Sequence, residues 1–473
     1  MSNTANPSSN ISSDNKSFAS TKLSKALVDN LNSLGYQQMT DIQAQSLPAI
    51  IHGQDVIAQG KTGSGKTAAF GLGLLNKLQV KKFRIQSLVL CPTRELADQV
   101  SQELRKLARS IHNIKVLTLC GGMPFGPQVG SLEHGAHIIV GTPGRIEDHL
   151  SRGTLSLNHV DTFILDEADR MLEMGFQSAI DAIVETIPSE RQTLLFSATF
   201  PDKIKQISAR LMQNPHMVKV TSTHDDSSIT QLFYAIDHRD DARFDATRLL
   251  LAQHQPNSAV IFCNTKKEVQ QVADKLCHYG NSAVALHGDL EQRDRDQTLV
   301  KFANKSARIL VATDVAARGL DVDNLDLVIN YHVAHDTEVH VHRIGRTGRA
   351  GSKGLACTLY SDKETYKVGL IEDYLDSAIE PTALPSEADL SATAKSPEMV
   401  TLQIDGGKKQ KVRPGDILGA LTGKNGIEGK SVGKIQVFDQ WAFVAVEAKC
   451  FKAAMKKLAD GKMKGRTFRV RKI

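Results

Sequence analysis

The stretch DVIAQGKTGSGKTAAF (55–70) decides the fold of the first part of the chain. Its segment 60–67 matches the pattern GxxxxGK(S/T), whose glycines let backbone amides wrap phosphate groups while the lysine adds positive charge. An apolar run (55–58) precedes the match and a helical pattern follows it, which is the context that this motif requires. We therefore predict a phosphate-binding loop between a strand and a helix, with Lys66 on the phosphates and Thr67 as a ligand of Mg²⁺.

Short apolar runs alternate with helical patterns over most of the chain. Such runs are typical of strands that are buried on both faces of a parallel sheet, so the pattern predicts two α/β lobes. The runs are DVIA (55–58), SLVLC (87–91), HIIV (137–140), TFILD (162–166) and TLLFS (193–197), followed by AVIFC (259–263), AVALH (283–287), RILVAT (308–313) and LVIN (327–330).

Composition predicts the boundaries between the parts of the chain. The N-terminus is rich in Ser and Asn, which favours disorder, and a Pro-, Ser- and Ala-rich stretch reads as a linker. The expected order is a disordered tail (1–17), a first lobe that binds ATP (18–221), a hinge (222–230), a second lobe (231–380), a linker (381–398) and a small basic domain (399–473).

The charge is distributed unevenly along the chain. Residues 399–473 hold 17 Lys and Arg against 6 Asp and Glu, a net charge of +11, whereas the whole chain carries +6. This asymmetry favours a basic nucleic-acid-binding module on a mildly acidic enzyme, although a merely solvated surface is the alternative.

The cysteines and the apolar runs indicate where the protein works. Six scattered cysteines form no CxxC pair, which argues against disulfide partners and a zinc site and for a reducing compartment. No stretch approaches the roughly 18 apolar residues of a membrane span, and the polar N-terminus does not resemble a signal peptide. We therefore expect a cytoplasmic protein without a membrane partner, and a monomer.

Acidic residues follow the apolar strand TFIL directly, in the segment DEAD (166–169). A carboxylate at the carboxyl end of a parallel strand faces the ligand crevice of an α/β sheet. Asp166 is therefore a candidate to hold Mg²⁺ through water, and Glu167 to orient or deprotonate an attacking water. The alternative is a group of acids that cap a helix.

The second lobe carries the motif HRIGRTGR (342–349). Arginines spaced by three among glycines suit the neutralisation of a γ-phosphate in the transition state, which makes Arg346 and Arg349 candidate catalytic residues. Surface ion pairs are the alternative. If the motif is functional, the catalytic site closes only when the lobes meet, and ATP acts as a conformational clamp.

The motifs of both lobes, in order, resemble those of DEAD-box RNA helicases over residues 18–380. The matching segments are Phe18, Gly35, TDIQ (40–43), GKTGSGKT (60–67), PTREL (92–96), GG (121–122), TPGR (142–145), DEAD (166–169), SAT (197–199), IFCNT (261–265), HGD (287–289), Gln292, Arg295, TDVAARGLD (313–321) and HRIGRTGR (342–349). The resemblance implies two tandem RecA-like lobes, RNA-stimulated ATP hydrolysis and local remodelling of RNA.

The resemblance also implies residue roles. Phe18 would stack on adenine, Gln43 would read its edge, and Gly319 and Asp321 would contact the ribose. The phosphates would lie on Gly60, Lys61, Thr62, Gly63, Ser64, Gly65, Lys66 and Thr67; coupling of hydrolysis to closure would involve Asp169, Ser197, Thr199 and His342. The RNA backbone would be held by Pro92, Thr93, Arg94, Gly122, Thr142, Arg145, Gln292, Arg295 and Thr313.

The last 75 residues read as β-α-β-β-α-β, the order of an RNA-recognition fold. Together with the whole chain, they resemble the bacterial DbpA-type helicases, which implies binding to a hairpin of 23S ribosomal RNA and to precursors of the large ribosomal subunit. Strand alternation predicts an outward sheet face with Thr401, Gln403, Trp441 and Phe443. We expect Phe443 to contact RNA, and basic loops to dominate the binding; the alternative is a domain that merely packs on the helicase core. The loop residues are Lys408, Lys409, Lys411, Lys462, Lys464 and Arg466.

Two other functions compete with an RNA helicase. A DNA helicase of related two-lobe type is one, which the residues implied to read adenine and the DEAD spelling disfavour. The other is a nucleotide-gated RNA clamp, a scaffold in which hydrolysis only sets the residence time. Intact Lys66, Glu167 and Arg346 favour turnover over the scaffold, but they do not identify unwinding as the task.

Overall fold

The computed structural model describes residues 16–60, 63–220, 229–237, 239, 241–317, 325–348, 353–386 and 394–473. The chain forms two compact units, Met1–Thr223 and His224–Ile473. The predicted N-terminal tail lies outside the described residues except at its end, and so does most of the predicted hinge. Among the helices in the described part, none is long and apolar enough to cross a membrane.

The first unit is a parallel seven-stranded sheet in the order β3-β4-β2-β5-β6-β1-β7. Its strands are β1 (Val56–Gln59), β2 (Ser87–Leu90), β3 (Val116–Leu119), β4 (Ile138–Gly141), β5 (Thr162–Asp166), β6 (Gln192–Ser197) and β7 (His216–Lys219). The helices are α1 (Lys25–Ser33), α2 (Asp41–Ile51), α3 (Lys66–Lys77), α4 (Arg94–Leu107), α5 (Phe125–Glu133), α6 (Pro143–Ser151), α7 (Ala168–Glu173), α8 (Gln177–Val184) and α9 (Asp202–Leu211).

An apolar cluster lies on each face of this sheet. In β1, Val56 and Ala58 join one cluster and Ile57 joins the other, as the period of two along a strand requires. Because β5 and β1 both pair with β6 in parallel, their carboxyl ends share one edge of the sheet. That edge carries the phosphate-binding loop, the DEAD segment and the SAT segment.

The second unit begins with a parallel six-stranded sheet in the order β10-β11-β9-β12-β13-β8. Its strands are β8 (Ile229–Ala235), β9 (Ala259–Phe262), β10 (Ala283–Leu286), β11 (Ile309–Ala312), β12 (Leu327–Asn330) and β13 (Gly354–Tyr360). The helices are α10 (Ala242–His254), α11 (Lys266–His278), α12 (Gln292–Ala303), α13 (Asp314–Ala317), α14 (Thr337–Ile344) and α15 (Thr365–Leu375). The prediction of two parallel α/β lobes is confirmed.

The C-terminal domain has the predicted β-α-β-β-α-β order, with an antiparallel sheet arranged β15-β16-β14-β17. Its elements are β14 (Met399–Ile404), α16 (Pro414–Thr422), β15 (Val432–Val437), β16 (Ala442–Glu447), α17 (Phe451–Asp460) and β17 (Val470–Lys472). Leu402 and Val444 lie on the sheet face that packs against Ile417 of α16 and Leu458 of α17.

The opposite face of this sheet corrects one prediction. Thr401, Gln403 and Phe443 do point away from the two helices, but each is at most 1 % exposed. The second lobe covers them: Ser306 Oγ lies 2.7 Å from Thr401 Oγ1, and Gln297 Nε2 donates to Gln403 Oε1 at 3.1 Å. The prediction that this face is open to RNA is therefore wrong, and Phe443 is not accessible for stacking in this structure.

Candidate functional site

The phosphate-binding loop joins β1 to α3 and requires glycine where the chain turns. Gly63 and Gly65 have φ values of +83° and +93°, in the left-handed region that favours glycine. A Cβ at Gly65 would also lie only 2.5 Å from Gln43 Nε2. The buried Lys66 begins α3, and its Nζ donates to Gly60 O at 2.7 Å. Of the residues predicted for this loop, Lys61 and Thr62 lie outside the described part of the chain.

Gln43 connects α2 to the phosphate-binding loop. Its Nε2 donates to Gly65 O at 3.1 Å, while its Oε1 accepts from Thr40 N at 3.0 Å and completes a capping box at the start of α2. The side chain is 2 % exposed. Phe18, predicted to stack on adenine, is buried in the apolar cluster beside α2. Adenine recognition by these two residues therefore stays a prediction.

Asp166 ends β5 as a buried carboxylate, and its Oδ1 has no hydrogen-bond partner among the described residues. Burial raises the pKa of Asp166 to about 7, although the nearby positive charge of Lys66 opposes the shift. A buried carboxylate oxygen without a partner, beside a phosphate-binding loop, fits a Mg²⁺ site. No group of three or more His, Cys, Asp and Glu in the described residues could hold a metal, so phosphate, water and Thr67 would supply the other ligands.

Glu167 precedes α7 in a left-handed backbone conformation, with φ +54° and ψ +51°. This conformation is uncommon for a residue other than glycine and marks a position that its surroundings hold in place. Glu167 is 3 % exposed, and its Oε2 accepts from Arg170 Nη1 at 2.9 Å. Arg170 was not predicted from the sequence, because an arginine that directly follows a polar segment is usually on the surface.

Asp169 links the DEAD segment to the SAT segment. Its Oδ2 accepts from Thr199 N and Thr199 Oγ1, both at 2.9 Å, and from Ala198 N at 3.2 Å. Burial works against ionisation of Asp169, but Lys66 and the hydrogen bonds from Thr199 lower its pKa overall. Ser197 is fully buried at the end of β6. The predicted coupling residues of the first unit are thus adjacent to each other.

In the second unit, the HRIGR segment forms the end of α14 and the turn after it. Arg343 is 1 % exposed and bonds both oxygens of Asp314, through Nε at 2.6 Å and Nη2 at 2.7 Å. It also donates to His332 O, so it ties α14 to α13 and to the segment after β12. Burial and Arg343 lower the pKa of the neighbouring His340 to about 4. Arg346 is 6 % exposed and follows in the turn.

The predicted site residues of the second unit are only partly among the described residues. Gly319, Asp321 and Arg349 lie outside the described part of the chain, whereas His342 lies in α14. Arg343 was not singled out from the sequence. Its bidentate pairing depends on Asp314, a partner that is distant in sequence, so no local pattern could have revealed its structural role.

The residues predicted to hold RNA in the first unit follow β2, β3 and β4 and lie at one edge of the sheet. Thr93 caps α4, with Oγ1 accepting from Leu96 N. Gly122 has φ +65°, and a Cβ there would collide with the guanidinium of Arg94. Arg145 Nη1 donates to Met123 O at 3.0 Å. The remaining members of this group are Pro92, which precedes Thr93, and Thr142, which precedes α6.

Three residues of the second lobe were predicted to hold RNA, and two of them lie at the start of α12. Gln292 Nε2 donates to Asp296 Oδ1 at 2.7 Å, and Arg295 Nη2 donates to Ala316 O at 3.0 Å. The third, Thr313, accepts from Ala316 N through Oγ1. All three residues therefore lie in one region around α12 and α13.

Two loops of the C-terminal domain bring its predicted basic residues together. Lys464 Nζ donates to Lys411 O at 2.8 Å and pairs with Asp416 at 3.1 Å. Lys408 and Lys409 are exposed, and neither forms an ion pair with a described residue. We call Lys408, Lys409, Lys411, Lys462, Lys464 and Arg466 the basic loop cluster; all six are exposed.

Comparison with known families accounts for this combination of parts. The DEAD/DEAH box helicase family matches residues 40–207, the helicase conserved C-terminal domain matches 242–351, and the DbpA RNA binding domain matches 401–472. The ATP-dependent RNA helicase DbpA of Escherichia coli is 55 % identical over 449 residues, which cover 95 % of this chain and 97 % of that protein. The chain belongs to the DEAD-box ATP-dependent RNA helicases of the DbpA type.

Other members of the family show the same relationship at lower identity. CshA of Geobacillus kaustophilus is 45 % identical over 355 residues, 75 % of this chain and 76 % of that protein. Among solved structures, S. cerevisiae Dbp5 bound to RNA and ADP BeF3 has a TM-score of 0.71 and 29 % identity, covering 80 % of this chain and all of that one. Mss116p bound to ssRNA and AMP-PNP has a TM-score of 0.69 at 26 % identity, covering 79 % of this chain and 81 % of that one.

The family assignment confirms the activity that the motifs predicted. The protein is an ATP-dependent RNA helicase, that is, an RNA-stimulated ATPase that binds ATP and RNA. The roles of its individual residues remain predictions.

Proposed function

We propose that this helicase uses ATP hydrolysis to remodel 23S ribosomal RNA during assembly of the large ribosomal subunit. The observation that carries the proposal is the exposed basic loop cluster on a domain that matches the DbpA RNA binding domain. Basic loops bind phosphates strongly, and their placement on a folded scaffold lets them select an RNA shape. The two lobes would then act on RNA close to the selected hairpin.

The first unit supplies most of the groups for hydrolysis. Lys66 neutralises phosphate charge, and Thr67 and Asp166 would hold Mg²⁺, which would withdraw charge from the phosphate oxygens. Glu167 orients the attacking water and accepts its proton. In the second lobe, Arg346 and Arg349 stabilise the charge that develops on the γ-phosphate.

Selection of ATP and coupling to RNA involve further residues of both lobes. Phe18 and Gln43 select adenine, and Gly319 and Asp321 hold the ribose. Asp169 forms three hydrogen bonds to the SAT segment. Through them, a change in the position of the DEAD segment during hydrolysis moves the SAT segment. RNA is held at the edge of the first sheet by Arg94 and its neighbours and, in the second lobe, near α12. Such contacts to phosphate and sugar read no sequence, which leaves specificity to the C-terminal domain.

The experiment that tests this proposal compares two RNAs of equal length, a 23S fragment that contains the hairpin and an unrelated RNA. We expect the 23S fragment to stimulate the ATPase at a much lower concentration than the unrelated RNA does. The variant with Lys408→Ala and Lys409→Ala should lose that preference, whereas a matched pair on α17, Lys452→Ala with Lys456→Ala, should keep it. Equal stimulation by both RNAs would contradict the ribosomal assignment and leave the family activity intact.

A further inference from the structure

The ion pair between Glu167 and Arg170 is the most deeply buried one in the described part of the first unit. The two side chains are 4 % and 2 % exposed, and Arg170 is among the largest fully buried side chains of the protein. Burial of two charges is costly and seldom adds net stability compared with apolar residues of similar size. An ion pair at this position therefore calls for a functional reason.

The geometry of the pair is suited to aiming a carboxylate. Arg170 Nη1 donates to Oε2 of Glu167 at 2.9 Å, so this contact anchors one oxygen of the carboxylate and does not engage Oε1. The left-handed backbone at Glu167 places its carboxylate within reach of a residue three positions later, on the first turn of α7. Two independent features, the strained backbone and the buried guanidinium, thus hold one functional group in one orientation.

Arg170 differs from the other charged neighbours of Glu167 in the direct contact that it makes. Lys66 acts on the carboxylates of Asp166 and Asp169, which lie on either side of Glu167 in the sequence. The carboxylate of Asp169 is directed to the SAT segment and also accepts from the backbone N of Arg170. Among the described residues, the only ion pair that Glu167 forms is the one with Arg170.

We propose that Arg170 is a positioning residue for hydrolysis, which holds the carboxylate of Glu167 so that Oε1 faces the attacking water. The inference rests on the proposed role of Glu167 as the group that acts on water. The proposed effect of Arg170 on hydrolysis passes through its contact with Glu167, although its charge also helps to lower the pKa of Asp169. Its loss should therefore lower the rate of hydrolysis and leave the binding of ATP and RNA in place.

The test uses the full chain with Arg170→Gln and Arg170→Lys, each in the wild-type and in the Glu167→Gln background. Partners that orient metal ligands are typically worth about 10- to 100-fold in activity, and we expect the same range for a partner that orients a catalytic carboxylate. We expect Arg170→Gln to lower kcat of the RNA-stimulated ATPase by that factor, with KM for ATP within about threefold of wild type. Arg170→Lys, which keeps a positive charge, should restore part of the loss.

The double variant separates positioning from general stability. If Arg170 acts through Glu167, Arg170→Gln should cause less than about a twofold further loss once Glu167 is Gln, because residues that act as a unit are not additive. A similar loss in both backgrounds overturns the proposal, and so does a rise in KM that matches the fall in kcat. The control is Arg210→Gln, which breaks an exposed ion pair with Asp181 on the same unit and should leave kcat unchanged.

Two further outcomes remain distinguishable. Near-normal turnover of Glu167→Gln would show that the proposed role of Glu167 itself is wrong, whatever Arg170 does. If Arg170→Gln does not fold, as judged by its thermal transition, the lysine variant carries the comparison in the two backgrounds. A lysine variant with wild-type kcat would then overturn the positioning role, because a lysine ammonium lacks the planar geometry with which a guanidinium orients a carboxylate.

Discussion

The basic loop cluster makes a quantitative prediction about salt. Lys408 and Lys409 are adjacent and exposed, and their backbone amides bond to Phe438 O and Asp439 O, so the loop that carries them is fixed against the next hairpin. Each phosphate contact adds about 0.7 to 0.9 to the slope of log affinity against log salt. Removing both lysines should therefore reduce the slope by about 1.4 to 1.8.

The size of this effect is large enough to measure. Between 50 and 200 mM salt, a slope change of that size corresponds to roughly a tenfold smaller loss of affinity. The assay is a titration of the 23S hairpin at several salt concentrations, with fluorescence of Trp441, the lone tryptophan, as the reporter. The Lys452→Ala and Lys456→Ala pair removes the same charge from an exposed face of α17 and should keep the wild-type slope.

Phe443→Ala provides the opposite case. Because Phe443 is fully buried on the sheet face that the second lobe covers, its truncation should destabilise the second unit by about 3 to 5 kcal/mol, as large-to-small changes of buried side chains do, while the salt slope stays at the wild-type value. The reasoning would be refuted if the lysine pair left the slope unchanged while Phe443→Ala abolished binding in a domain that still melts like wild type. That combination would mean that the sheet face opens and binds RNA by stacking.

Three further predictions concern the catalytic segment and the covered sheet face. Glu167→Gln should bind ATP and RNA but hydrolyse about 10²- to 10⁴-fold more slowly in single-turnover kinetics; near-normal hydrolysis would contradict the role given to Glu167. Thr401→Val removes a buried partner of two polar groups and should cost about 1 to 3 kcal/mol in thermal or denaturant unfolding, whereas the exposed Thr422→Val should cost little. The pKa of Asp166 is about 7 in the folded protein and about 4 in the unfolded chain, so the free energy of unfolding of the nucleotide-free protein should fall as pH rises between these values. Asp166→Asn should flatten this dependence on pH. If the variant keeps the wild-type dependence, the pKa of Asp166 is not raised.

The sequence predicted those features that local pattern controls. Strand positions follow from apolar runs such as TFILD. The phosphate-binding loop follows from the glycines before a helical pattern, and in the structure two of these glycines have positive φ. Alternation also assigned Leu402 and Thr401 correctly to opposite faces of β14. Each of these features depends on residues that are close together in the chain, which is why composition and spacing were sufficient.

The features that the sequence did not predict depend on partners far away in the chain. Thr401 and Gln403 are short polar residues that suit water, RNA or a polar protein interface equally well, and only Ser306 and Gln297 decide which of these they meet. Arg170 is an arginine in a polar segment, and its burial follows from the packing of the whole lobe. The environments of these polar residues were therefore predicted wrongly or not at all, because the partners of a polar residue, and not its own chemistry, determine whether it is buried.

The covered sheet face gives α12 a particular position in the second unit. Its first turn carries Gln292 and Arg295, which are proposed to hold RNA, while Gln297 further along bonds to β14 of the C-terminal domain. Asn304, the residue after the helix, donates to Thr401 Oγ1 at 3.2 Å. Gln297 in the middle of α12 and the residues just after the helix are thus bonded to the C-terminal domain, while the first turn carries the residues proposed to hold RNA. Because one helix contacts both regions, we expect RNA that is bound by the C-terminal domain to influence the position of the residues proposed to hold RNA at the start of α12.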